Sequence, residues 1–164
     1  MLTVRPATAA DYPLIQSIAQ RTWPATFGTI LSPAQIDYML DWMYTPGALA
    51  AQAAAGHAFL ILRKDGQPVG YAGYELGYRP TTAKLHKLYL LPAAQGTGGG
   101  RRLVEEVLLR CRQGGRAHLR LNVNYQNPAV GFYEHLGFRI VERVDIEIGR
   151  GYLMEDFVME RTVD

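Results

Sequence analysis

Between Gln95 and Arg101 the chain reads Gln-Gly-Thr-Gly-Gly-Gly-Arg, with Gln95, Gly98 and Gly100 in the spacing Q-x-x-G-x-G. Glycines leave main-chain N–H groups uncovered, and this run opens a segment in which Leu103, Val104, Val107 and Leu108 recur at helical intervals. Bare N–H groups at a helix N-terminus, backed by the partial positive charge of its dipole, bind phosphate. Gln95, Gly96, Thr97, Gly98, Gly99, Gly100 and Arg101 are therefore candidates for holding a pyrophosphate. Two nucleotide motifs fail on spacing. A Walker loop needs Lys after its last glycine, and a dinucleotide fingerprint needs a third glycine; in this chain both positions are Arg101.

A second run points the same way. His118 to Val123 reads as a strand, Asn127 as a helix cap with Pro128 in the first turn, and Gly137 as the helix stop before a strand restarts at Phe138. The two runs together resemble the two cofactor motifs of the GNAT superfamily of N-acetyltransferases. The first is the glycine loop ahead of a helix. The second is a strand, an Asn, then A-x-x-x-Y (Ala129 to Tyr133) on a helix closing in Leu136-Gly137-Phe138. One residue fewer separates Asn127 from Ala129 than in the family's common form. Trp23-Pro-Ala-Thr-Phe27, Leu31-Ser-Pro and Leu85-His-Lys-Leu-Tyr-Leu resemble a bacterial branch that includes polyamine acetyltransferases.

The resemblance implies acetyl-CoA as co-substrate and direct acetyl transfer to a primary amine of a small molecule, in a ternary complex. It implies that the glycine loop, with Asn124 and Asn127, holds coenzyme A. Main-chain groups of Leu88, Tyr89 and Leu90 would bind pantetheine and the thioester carbonyl. Tyr133 would be the general acid for the leaving thiolate. His86, on the coenzyme-binding strand, is a candidate base, since imidazole titrates near pH 6.5. Trp23, Phe27, Tyr38 and Trp42 could line an amine pocket through cation–π contact, with Glu75, Glu155 and Asp156 as carboxylates for a cationic acceptor. Two alternatives stay open. One is a non-catalytic coenzyme A-binding sensor or partner domain, and the other an acetyltransferase for a protein N-terminus or an amino acid.

Elements that position these residues can be read along the chain. Thr3 to Arg5 is a short strand, and Thr8-Ala-Ala-Asp11 is a capping box for a helix to about Gln20. Trp23 to Phe27 reads as an aromatic loop. Helices follow from Ser32 to about Met43 and from Pro46 to Ala55; strands run from Ala58 to Arg63 and Pro68 to Gly77 around an Asp65-Gly66 turn. Thr82 to Leu91, the helix to Gln113, the second motif, and strands Phe138 to Ile148 and Tyr152 to Arg161 complete the order. The expected fold is α/β: a single domain over residues 1–164 with a mixed, mostly antiparallel sheet of about seven strands. The family resemblance adds a splay between the fourth and fifth strands and four to five flanking helices.

Bulk properties limit the partners. The 164 residues are 48% hydrophobic and 20% charged, with a net charge of +2 and no basic run, which argues against nucleic acid. No apolar run approaches the roughly 18 residues of a membrane span, and the start lacks a signal-peptide pattern. The lone Cys111 falls on an apolar helix face, so it is expected to pack in the core. His57, His118 and His135 have no metal-ligand spacing in the chain, so no metal is expected. The expected location is the cytoplasm, with a homodimer left open.

Overall fold

The computed structural model describes residues 1–164. Seven strands form one sheet: β1 (Leu2–Pro6), β2 (His57–Lys64), β3 (Gln67–Glu75), β4 (Thr82–Leu90), β5 (His118–Asn124), β6 (Arg139–Gly149) and β7 (Tyr152–Thr162). Their order across the sheet is β1-β2-β3-β4-β5-β7-β6. Every pairing is antiparallel except β4 with β5. Five helices flank it: α1 (Tyr12–Phe27), α2 (Pro33–Tyr44), α3 (Pro46–Ala54), α4 (Gly99–Gln113) and α5 (Ala129–His135).

Strand alternation divides the core into two layers. In β2, Leu60 and Leu62 face α4, where Leu103, Val104, Val107 and Cys111 are buried. Phe59 and Ile61 face the opposite side, against Ile15, Ile18, Met39 and Leu49 from α1 to α3. Both faces of β2 are thus buried, so it reads as a continuous apolar run. Burial pushes the Cys111 thiol up to about 11, and this cysteine is core packing.

Local chemistry sets the ends. Ser32 and Thr45 cap α2 and α3, accepting from Gln35 and Ala48 N–H at 3.1 Å. A 3₁₀ turn, Ala9–Asp11, precedes α1, and Asp11 accepts from Thr8 N at 2.8 Å. Asp65 and Gly66 take φ +50 and +82, the left-handed pair a two-residue hairpin needs.

One expectation is corrected. Trp23 to Phe27 is not a loop but the last turns of α1, with Pro24 inside the helix. An internal Pro costs about 3 kcal/mol. Trp23 and Phe27 are 3% and 5% exposed, and burying each aromatic returns about 1.5–3 kcal/mol, so packing outweighs propensity.

The register explains the opening at the centre. β4 and β5 pair only from Thr82 with His118 to Leu85 with Leu121. Beyond that point β4 continues on β3 and β5 continues on β7, and the two strands part. The register of β3 on β4 shifts at the same place: Tyr74 faces Leu85 and Gly73 faces Lys87, leaving His86 as the extra residue of a β-bulge.

Candidate active site

The parted strands open a cleft of about 750 Å³. From His86 onward β4 has no β5 partner, so main-chain groups of Leu88, Tyr89 and Leu90 that would have bonded β5 face the cleft, which all three residues line.

The glycine loop closes one end. Gly98 adopts φ +86 and ends the turn into α4, whose first internal bond runs from Arg102 N to Gly98 O at 3.0 Å. The N–H groups of Gly99, Gly100 and Arg101 are left without an intrahelical acceptor. A Cβ on Gly100 would lie 2.9 Å from the Phe132 ring, and one on Gly99 2.7 Å from the Leu62 side chain, so a larger residue at either position would displace its neighbours. Free donors at a positive helix end suit a pyrophosphate. Gln95, Gly96 and Gly100 line the cleft, as do Asn124 and Asn127. Asn127 also accepts from Ala129 N at 2.9 Å, and Pro128 already has helical angles, so the expected cap and first-turn proline are in place. Thr97 turns back to donate to Ala94 O, Gly99 is buried as the first residue of α4, and Arg101 is exposed beside the loop.

Tyr133 lines the middle of the cleft. Its ring is wedged between Phe132 (centroids 5.1 Å apart) and Phe138 (5.6 Å), and its burial holds the phenol well above its ordinary pKa. It stays protonated at neutral pH and has no hydrogen-bond partner in the protein.

His86 lines the cleft from the bulge, and its Nε2 bonds Glu75 Oε1 at 2.9 Å. The His57 ring stacks on it, 4.1 Å between centroids and 9° between planes, with Nε2 3.5 Å from the same Oε1. Burial lowers the His86 pKa, the Glu75 bond partly opposes this, and His57, Lys84 and Lys87 lower it further. Burial likewise lowers His57. Both rings are neutral at pH 7. Strand pairing thus unites three groups that their spacing in the chain keeps apart, with ligand atoms within 4.8 Å of one another. A cation held by both Nε2 atoms would lie off both ring planes and close to two lysines. The arrangement suits a hydrogen-bonded network better than a metal.

Another part of the cleft is lined by Trp23 and Phe27 of α1, Tyr44 of α2 and Lys87 of β4, with Asp156 of β7 also in the lining. Four sequence candidates stand elsewhere. Tyr38 donates to Ile148 O at 2.6 Å and packs on Tyr152, tying α2 to the β6–β7 turn outside the cleft. Glu75 lies behind His86 and does not line the cleft. Trp42 is half exposed, and Glu155 also lies outside the lining. Sequence reasoning missed Lys87 and Tyr44. Simple alternation puts Lys87 on the face of Leu85; the bulge at His86 turns it to the other face, and nothing in the sequence marks that bulge.

A sequence profile described as "Acetyltransferase (GNAT) domain" matches residues 31–151. An uncharacterised N-acetyltransferase of Mycobacterium tuberculosis is 32% identical over 149 residues, 90% of this chain and 94% of that protein. The N-alpha-acetyltransferase RimI of the same organism is 32% identical over 131 residues, 73% of this chain and 82% of that protein. Among solved structures, the PaiA N-acetyltransferase of Thermoplasma acidophilum in complex with coenzyme A superposes with a TM-score of 0.82 at 24% identity, covering 99% of each chain. The chain belongs to the GNAT acetyltransferase family and is an acyltransferase with acetyl-CoA as its co-substrate.

Proposed function

We propose that the protein moves the acetyl group of acetyl-CoA directly to a primary amine of a small molecule, with both substrates bound at once. The observation that carries this reading is the single cleft itself, which runs from the glycine loop past Tyr133 to a deep aromatic pocket around Trp23 and Tyr44. The one cysteine, Cys111, is buried in the core on the inner face of α4, so no thiol is available to carry an acyl group. The amine nitrogen attacks the thioester carbonyl, the C–N bond forms and the C–S bond breaks. Tyr133 gives its proton to the departing thiolate, and His86 takes the proton from the amine. Main-chain N–H groups between Leu88 and Leu90 stabilise the oxyanion. Gln95 to Arg101, with Asn124 and Asn127, hold the pyrophosphate and pantetheine.

Acetyl-CoA is an intracellular metabolite, and we place the reaction in the cytoplasm. A homodimer belongs to the same proposal, supported by the edge strand β6, where Ile140 and Val141 stay about two-fifths exposed at 42% and 39%.

Release of coenzyme A over a panel of small amines and N-terminal peptides tests the reading. Turnover of small amines with formation of the N-acetyl product is the expected result. The similarity to RimI favours a second reading, a protein N-terminus as acceptor. Turnover of peptides alone would replace the first reading with the second.

A further inference from the structure

One charged side chain in the cleft, Lys87, has no counter-charge, and a second, Asp156, has none in direct contact. Lys87 is 7% exposed; its ammonium donates to Gln52 Oε1 at 2.7 Å, lies 5.3 Å from the centre of the Tyr44 ring, and meets no carboxylate. Asp156 is 3% exposed, accepts one long bond from Asn122 at 3.4 Å, and forms no direct ion pair, with Lys84 and Arg143 near enough to favour its charged form. Buried charges are ordinarily paired, and a lone one is costly to keep.

The surroundings of Lys87 include a donor without a partner. Trp23 Nε1 is buried without a partner, and its ring lies 5.7 Å from that of Tyr44. The Tyr44 and Tyr71 hydroxyls bond each other at 2.7 Å. Lys87, Trp23 and Tyr44 all line the cleft and are each more than nine-tenths buried. A buried ammonium with no anion beside it, in a pocket that also holds an indole N–H without a hydrogen bond, is half of a carboxylate site. A plain cationic amine would leave this half unsatisfied and would bring a second positive charge towards Lys87.

We infer that the acceptor carries a carboxylate as well as its amine: it is an amino acid, with its carboxylate held by Lys87 in the pocket of Trp23 and Tyr44. Asp156, also in the lining, attracts the ammonium form in which the amino group arrives. This rests on the small-molecule reading above and narrows it to one chemical class.

Matched pairs that differ only in the carboxylate test it: leucine against isopentylamine, phenylalanine against phenethylamine, lysine against cadaverine, and γ-aminobutyrate against propylamine. For at least one pair the acid should be preferred in kcat/KM by about tenfold or more, the size of effect a desolvated charged hydrogen bond gives. Lys87→Met should reduce that preference to within about threefold, while Lys87→Arg keeps most of it. Equal use of both members of every pair overturns the inference and leaves the small-molecule reading standing. So does a preference that survives in Lys87→Met. Turnover of peptide N-termini alone, or of none of the pairs, overturns both.

Discussion

Removing one oxygen from Tyr133 separates packing from chemistry. Tyr133→Phe keeps the ring between Phe132 and Phe138, so the fold and acetyl-CoA affinity should change little. Turnover at saturating substrates should fall by about 10²–10⁴-fold, the usual contribution of general acid catalysis. Near wild-type turnover in a variant whose chemical step limits the rate would remove Tyr133 from that role. Glu75→Gln tests the group behind His86. Glu75 raises the His86 pKa against burial, so its loss should lower that pKa, shift the acid limb of kcat to lower pH and slow the reaction. An unmoved limb would show that His86 is not the titrating base.

Lys87 gives a prediction of opposite sign in stability. Burial lowers its pKa from 10.5 to about 8. Between those values the unfolded chain binds more protons than the folded one, so stability rises as pH climbs from about 8 to about 10.5. Below pH 8 the full cost is present, on the order of 3 kcal/mol for a shift of this size. Lys87→Met leaves Gln52 Oε1 without its donor, so the net gain at pH 7 should be about 1–3 kcal/mol in chemical denaturation, shrinking by pH 10. A variant less stable than wild type at pH 7 would show that the lysine is compensated in the folded state.

The glycine loop and α4 act as one element. Gly98 sits at φ +86 with nothing within 4 Å of the place a Cβ would occupy. Gly98→Asp therefore costs about 1–2 kcal/mol of backbone strain without a clash and puts a carboxylate beside the phosphate donors. Calorimetry should show acetyl-CoA binding weakened at least about tenfold, roughly 1.4 kcal/mol, in a folded protein. Unchanged affinity would take the pyrophosphate away from this loop.

How much of the site could be read in advance also divides by element. The loop from Gln95 to Arg101 and the helix from Asn127 to Gly137 were legible because caps, turns and glycines are local signals. The β2–β3 hairpin was legible from Asp65-Gly66 for the same reason. The helical course of Trp23 to Phe27 was not, because a proline is a strong local signal and the burial that overrides it is tertiary. Nor were the union of His57, Glu75 and His86 or the turning of Lys87 into the cleft. Both depend on the register of β2, β3 and β4, and on one bulge that no residue type announces.

At the scale of the molecule, the chemistry follows from a sheet that fails to close. β4 and β5 pair over four residues and then part, each held by its outer neighbour, so the gap is fixed by β3 and β7 rather than by a mobile lid. One end of the gap offers free N–H groups to a pyrophosphate, the other offers buried aromatic and charged groups to an amine, and Tyr133 and His86 lie between. No cysteine lines this cleft to hold an acetyl group between two half-reactions, which favours direct transfer. Initial velocities over a grid of acetyl-CoA and acceptor concentrations test this most directly, with the best acceptor from the amine panel. Double-reciprocal lines that intersect, with no acetylated protein by intact mass after acetyl-CoA alone, are the expected result. Parallel lines with a stoichiometric acetyl-enzyme that passes its acetyl group to the amine would contradict direct transfer.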